Sequence, residues 1–88
     1  MYESSPCTVV RDISFERSLR CLFNDWAQAE AYVAAVEQVL AHDPEYGILE
    51  ANGYYYIPLA PVRGMYCYLY YRYNHPLVTL FEVEVAPE

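Results

Sequence analysis

The chain contains no lysine, and its only fixed cations are five arginines facing twelve carboxylates, for a net charge of −7. A nucleic-acid binder ordinarily presents a net positive face, because phosphate neutralisation drives its affinity. The overall field here repels phosphate, so a nucleic acid is not expected as a direct ligand. Cysteine is also scarce. Cys7, Cys21 and Cys67 are odd in number, widely spaced and without a C-x-x-C pair. That excludes a disulfide framework or a zinc knuckle. Apolar neighbours predict buried structural thiols. No apolar run reaches the length of a membrane span, and "MYESSPCTVV" lacks the basic and apolar regions of a secretory leader. The expectation is a soluble, cytoplasmic protein with no membrane partner.

What is present is apolar and aromatic. The 88 residues are 56% hydrophobic. That suits one domain, residues 1–88, with a core that needs no staples. "CTVVRDISF", from Cys7 to Phe15, is rich in β-branched residues and predicts a strand. Ser14 offers an N-cap for a short helix, "FERSLRCLF", in which Phe15, Leu19 and Leu22 share a face and Glu16 and Arg20 are spaced to pair. Asn24 or Asp25 caps the next helix, with Gln28 placed for a capping box. Trp26, Ala29, Val33, Val36 and Leu40 then form an apolar stripe of helical period, with Gln28, Glu30, Glu37 and Gln38 on the polar side. Asp43-Pro44 ends this helix and Gly47 allows a sharp turn. Three strands follow: "GYYYIPLAP", placed near a sheet edge by Pro58; "MYCYLYYRY", after a "VRG" turn; and "LVTLFEVEV", after "NHP". The fold class is α+β, in the order β-α-α-β-β-β, with a helical hairpin packed on an antiparallel meander sheet of three or four strands.

Tyrosine is concentrated: eight of the eleven lie between Tyr54 and Asn74. Period two sends Met65, Cys67, Leu69, Tyr71 and Tyr73 to one face of the middle strand and Tyr66, Tyr68, Tyr70 and Arg72 to the other. In the last strand, the same alternation groups Leu77, Thr79, Phe81, Val83 and Val85 against Val78, Leu80, Glu82 and Glu84. The economical packing puts the Met-Cys-Leu and Leu-Phe-Val faces under the helices. Half of the tyrosines then line the core. Tyr66, Tyr68, Tyr70 and Arg72 lie on the open sheet face beside Glu82 and Glu84, where Arg72 could pair with either carboxylate. Such a row is either ordinary cover for a half-solvated sheet or a partner surface, since tyrosine and arginine combine large contact area with hydrogen-bonding heads.

In order and spacing, the strand running into "DISFERSL", the helical pair ending in "VLAHDPEYG", the strand after Gly53, "GMYCYLYYRYN" and the last apolar strand resemble the RelE/ParE superfamily of bacterial toxin-antitoxin toxins. The likeness covers nearly the whole chain. It implies that family's fold and an antitoxin as partner. RelE-type members cleave messenger RNA on the ribosome with basic side chains on the sheet, and ParE types poison DNA gyrase. Here "YYYIPLAP" and "EVEVAPE" stand where the family tends to carry basic residues, and Tyr66-Cys67 stands where it often has Tyr-Arg. The resemblance then implies a toxin-like protein that acts through protein contacts with catalysis impaired. Its partner is an antitoxin-like protein or a second copy, bound by Tyr66, Tyr68, Tyr70 and Arg72.

The alternatives belong to other classes. A ribosome-dependent ribonuclease would need Arg63 and Arg72 as phosphate ligands and Tyr66 as proton donor. A small-molecule binder would use the tyrosine face as a stacking platform. Cys67 and His75 fall at opposite ends of a strand without a third member, and His75 before Pro76 reads as a turn residue. Glu82 and Glu84 alone do not make a metal site. No cofactor or metal is expected.

Overall fold

The computed structural model describes residues 6–87; residues 1–5, on which the leader reading rests, and residue 88 lie outside them. Seven elements follow one another: β1 (Thr8–Arg11), α1 (Ile13–Leu22), α2 (Trp26–His42), β2 (Ile48–Leu49), β3 (Tyr55–Val62), β4 (Met65–Asn74) and β5 (Leu77–Pro87). The first strand stops at Arg11, short of Phe15, because Phe15 belongs to the helical stripe with Leu19 and Leu22 and is fully buried there. Asp12, not Ser14, caps α1. Its carboxylate accepts the Ser14 N–H at 3.0 Å and the Ser14 hydroxyl at 2.7 Å. Asp25 caps α2 by accepting the Ala27 N–H at 2.9 Å, which settles the choice against Asn24. Ala29, Val33 and Leu40 of the α2 stripe are fully buried, while Trp26 and Val36 are half-buried against the edge of the core.

The sheet has five strands in the order β1-β5-β4-β3-β2. The β3-β4-β5 meander is antiparallel, as the strand pattern predicts. The sheet is nevertheless mixed and larger than three or four strands. β1 lies parallel to β5 on one edge, and the two-residue β2 pairs Ile48 with Tyr56 and Leu49 with Tyr55 on the other. β2 covers only the start of β3, so Pro58 and Pro61 fall where β3 is itself an edge, and they blunt it. The "VRG" turn is a two-residue hairpin connection. Arg63 (φ 51°) and Gly64 (φ 75°) both adopt the left-handed region such a turn requires. Both helices pack on one sheet face, over Cys67, Leu69, Tyr71, Val78, Leu80 and Val83.

That list corrects the alternation expected for the last strand. Tyr70 pairs with Glu82, but Tyr71 pairs with Leu80, so Phe81 is an extra residue in β5. A bulge of this kind shifts the phase of every side chain that precedes it. Val78 and Leu80, each 0% exposed, therefore face the helices in place of Leu77, Thr79 and Phe81. Beyond the bulge the expected phase returns. Val83 is buried and Glu82 and Glu84 point out, whereas Val85 is exposed. Two α1 serines meet the backbone at this irregularity: the Ser14 hydroxyl, whose one proton is shared between the Asp12 carboxylate and the Phe81 carbonyl, lies 2.6 Å from the latter, and the Val83 N–H donates to the Ser18 hydroxyl at 2.9 Å.

The β2 end of the core closes on Tyr71. Its ring stacks on Tyr55 at 5.0 Å, its hydroxyl donates to the Pro44 carbonyl at 2.9 Å, and it accepts the Gly47 N–H at 2.9 Å. Burial pushes this phenol up to about 12. A Cβ on Gly47 would lie 2.9 Å from the Tyr56 carbonyl oxygen and 2.9 Å from the Tyr71 hydroxyl. The first obstacle is backbone and cannot swing aside. Gly47→Ala is expected to cost about 1–3 kcal/mol through this overpacking. Urea denaturation would measure it, and a variant as stable as the parent would show that the loop yields freely.

Candidate partner-binding face

The sheet face turned away from the helices carries both members of every second cross-strand pair. Ile48 of β2, Tyr56 of β3 and Tyr70 of β4 stand in one row, and Pro58, Tyr68 and Glu84 in the next. Tyr56 meets Tyr70 at 6.0 Å and Tyr68 at 6.3 Å, and Tyr54 meets Phe81 edge-on at 5.5 Å. The bulge delivers Phe81 to this side, so the face gains an aromatic ring that strict alternation assigns to the core. Tyr56, Tyr68 and Tyr70 are half-buried by one another, whereas Tyr66 is exposed near the β3–β4 turn. Of the residues expected on the open face, Tyr66, Tyr68, Tyr70 and Arg72 are all found there.

Electrostatics divides this face. A cleft of about 400 Å³ opens between Tyr54, Tyr70 and Phe81, with Glu50, Glu82 and Glu84 on its walls. The Tyr70 phenol is held above its ordinary range, first by partial desolvation and then by the charges of Glu84, Glu50 and Glu82. The carboxylates thus converge on one hydroxyl. Among the described residues no three metal-ligating side chains stand close enough to share an ion. The three act as a negative field beside aromatic rings, a setting that suits a cationic side chain.

Arg72 does not pair with Glu82 or Glu84, contrary to the expectation. Those carboxylates lie across from Tyr70 and Tyr68, whereas Arg72 lies across from Thr79 and rests 5.3 Å over the Tyr54 ring. Arg63 sits at the far end of β4 from Arg72, in the hairpin turn. Its guanidinium donates to the Leu22 carbonyl at 2.7 Å, at the negative end of α1. At about 3.3 Å per residue, Tyr66 and Arg72 are some 20 Å apart along β4. Arg63, Tyr66 and Arg72 therefore do not share one pocket. Arg20 leaves Glu16 and stacks over Trp26 at 4.6 Å, while Glu16 lies 3.7 Å from Arg11.

Sequence reasoning missed the Arg11 cluster. Glu30 and Glu37, assigned to a solvated helix face, both hydrogen-bond the Arg11 guanidinium across the β1–α2 seam. Their seven-residue spacing, two helical turns, was the available signal. The cysteines also depart from the uniformly buried reading: Cys67 is buried, Cys7 is half-buried and Cys21 is exposed. Cys67 and His75 are not brought together; the Cys67 thiol donates to the Met65 carbonyl at 3.7 Å.

The architecture matches a solved one. A chain of the toxin-antitoxin complex RelBE2 from Mycobacterium tuberculosis superposes with a TM-score of 0.64 over 98% of each chain, at 20% sequence identity. The chain thus has a RelE-like fold. No protein-family model and no curated protein sequence matches it. Among the described residues no helix is long and apolar enough to cross a membrane.

Proposed function

We propose that this chain is the toxin-like member of a toxin-antitoxin pair, that it acts through protein contacts with catalysis impaired, and that its tyrosine face is where the partner docks. The observation that carries this reading is the continuous aromatic surface from Ile48 across Tyr56, Tyr68 and Tyr70 on the sheet face opposite both helices. The likeness to a chain of RelBE2 supports an antitoxin as the partner class. Charge selects between a second copy and a different protein. A symmetric contact of this face with itself would oppose Glu50, Glu82 and Glu84 to their own copies, with Arg72 as the cation in return. A segment bearing apolar residues and arginine or lysine meets both the rings and the carboxylates.

Catalysis of the RelE type needs cations clustered where a phosphate would sit. Arg63 is engaged with the end of α1, and Arg72 stands apart from it over the Tyr54 ring. Purified protein is expected to leave messenger RNA intact with and without ribosomes. Cleavage that disappears in Arg72→Ala would replace this reading with the nuclease one. Growth arrest on regulated expression, relieved by co-expressing the protein encoded by the neighbouring gene, is the expected cellular result. Tyr68→Ala should weaken binding of that neighbour by about 1–2 kcal/mol, or roughly five- to thirty-fold in Kd, while the variant stays folded. Calorimetric titration measures this. A parent that neither arrests growth nor binds the neighbour would sink the proposal.

A further inference from the structure

β1 runs parallel to β5, which returns the residue before β1 to the β4–β5 connection. Cys7 is pinned there by its backbone: its N–H donates to the Ala41 carbonyl at 2.7 Å, and the next N–H, of Thr8, donates to the Pro76 carbonyl at 2.8 Å. The Cys7 thiol thereby stands 4.0 Å from Nδ1 of His75, at the outer limit of a sulfur hydrogen bond. The Tyr73 hydroxyl lies 3.2 Å from the same nitrogen, with the two rings edge to face at 6.3 Å. A thiol, an imidazole and a phenol from the two ends of the chain thus form one hydrogen-bonded group. His75 is exposed and Cys7 half-buried, so a small reagent can reach the sulfur.

We infer that Cys7 is a thiol–disulfide exchange site that takes low-molecular-weight disulfides, with His75 as its base. The pairing of a sulfur nucleophile with an imidazole is what such attack requires. Nδ1 of His75 is the ring nitrogen that faces the Cys7 thiol. The imidazole therefore removes the proton as the sulfur attacks. Nδ1 accepts the thiol proton, which needs the tautomer with hydrogen on Nε2. Sγ attacks one sulfur of the reagent disulfide. A Cys7–sulfur bond forms, the reagent's own S–S bond breaks, and its electron pair leaves on the departing thiolate, which takes the proton held by His75. Cys7 is oxidised to the mixed disulfide and the reagent is reduced by the same electron pair. A free thiol reverses the step. Once Nδ1 carries that proton it donates to the Tyr73 hydroxyl oxygen 3.2 Å away, so Tyr73 is a positioning residue for the protonated imidazole.

The other cysteines are internal controls. Cys21 is exposed, and among the described residues no imidazole is hydrogen-bonded to it, while Cys67 is 1% exposed. The protein would be treated with oxidised glutathione at neutral pH, and mixed disulfides would be located by peptide mass mapping over time. Cys7 is expected to be capped roughly ten times faster than Cys21, with Cys67 unmodified. His75→Gln should bring Cys7 down to the Cys21 rate and leave Cys21 unchanged. Modification of Cys67 would reveal a misfolded variant. In that case Tyr73→Phe, which keeps the ring, supplies the comparison, with a smaller loss at Cys7 alone. Equal rates at Cys7 and Cys21 in the parent overturn the inference. So does a folded His75→Gln protein whose Cys7 reacts as fast as the parent's.

Discussion

Val33→Asp is expected to lose at least about 4 kcal/mol of stability. Val33 is 0% exposed, in one cluster with Leu19, Leu69 and Leu80. A carboxylate there has no cation and no donor, so it must protonate or draw water into a packed core. A chain of 88 residues has a total stability of about 4–13 kcal/mol at about 0.05–0.15 kcal/mol per residue. The substitution therefore removes a third of the stability or all of it. Val33→Ala separates the cavity from the charge and should cost only about 2 kcal/mol. Val36→Asp should cost less than Val33→Asp, because Val36 is half-buried at the edge of the core and its carboxylate can keep water. Urea unfolding followed by fluorescence of Trp26, the single tryptophan, would rank the three. A Val33→Asp protein that unfolds like Val33→Ala would place this turn of α2 at the surface.

The α2 stripe was legible because helical period is a local property, written in the residues that obey it. So was the division of β4, whose alternation runs unbroken from Tyr66 to Arg72. The phase of β5 was not. A bulge depends on how two strands register, and no residue of "LVTLFEVEV" announces it. Its clue lay elsewhere in the chain, in the spacing of Ser14 and Ser18 on α1, whose hydroxyls bond the backbone at the irregularity. β1 was read as a strand, but its place beside β5 is a matter of topology, and with it came the meeting of Cys7 with His75. β2 was missed because two residues are too few to show a period.

The candidate face follows the same logic. Tyr66, Tyr68, Tyr70 and Arg72 share a side because they alternate on one strand. Their neighbours from other strands required the register: Phe81 joined through the bulge, and Glu50 and Tyr54 through the β2–β3 turn. Counting charges showed that cations were few. Where each arginine goes could not be counted. Arg63 turns to the end of α1, Arg20 to Trp26 and Arg72 to Tyr54, each drawn to a helix end or a ring rather than to the nearest carboxylate in sequence.

Arg11→Ala is expected to cost about 2–3 kcal/mol at neutral pH, well above the effect of an ordinary surface ion pair. Arg11 Nη1 and Nη2 bond the Glu30 carboxylate at 2.7 and 2.8 Å, while Nε and Nη2 bond Glu37 at 2.8 and 2.9 Å. The fork-shaped guanidinium holds two carboxylates at once and joins the end of β1 to two turns of α2, which lysine cannot do. Its side chain is only 18% exposed, so the bonds are partly shielded, but Glu30 at 42% keeps much of its water and limits the gain. Without the cation, Glu16, Glu30 and Glu37 repel one another in a chain already at −7. The pH dependence follows from Glu30, which is held below its ordinary 4.5 mainly by the hydrogen bonds from Arg11. A carboxylate depressed by folding stabilises the fold above its unfolded value, and that contribution is lost as pH falls through its folded value. Arg11 itself is pushed further above its already high range and stays charged throughout. The gap between parent and Arg11→Ala should therefore be full at neutral pH and shrink steadily below about 4.5. Asp12, lowered by its hydrogen bonds from Ser14, titrates in the same direction in both proteins, so the variant keeps a weaker acid limb of its own. Urea midpoints measured across that range test the account. A gap as wide at about pH 3 as at pH 7 would mean that Arg11 acts through the packing of its aliphatic stem rather than through the carboxylates it grips.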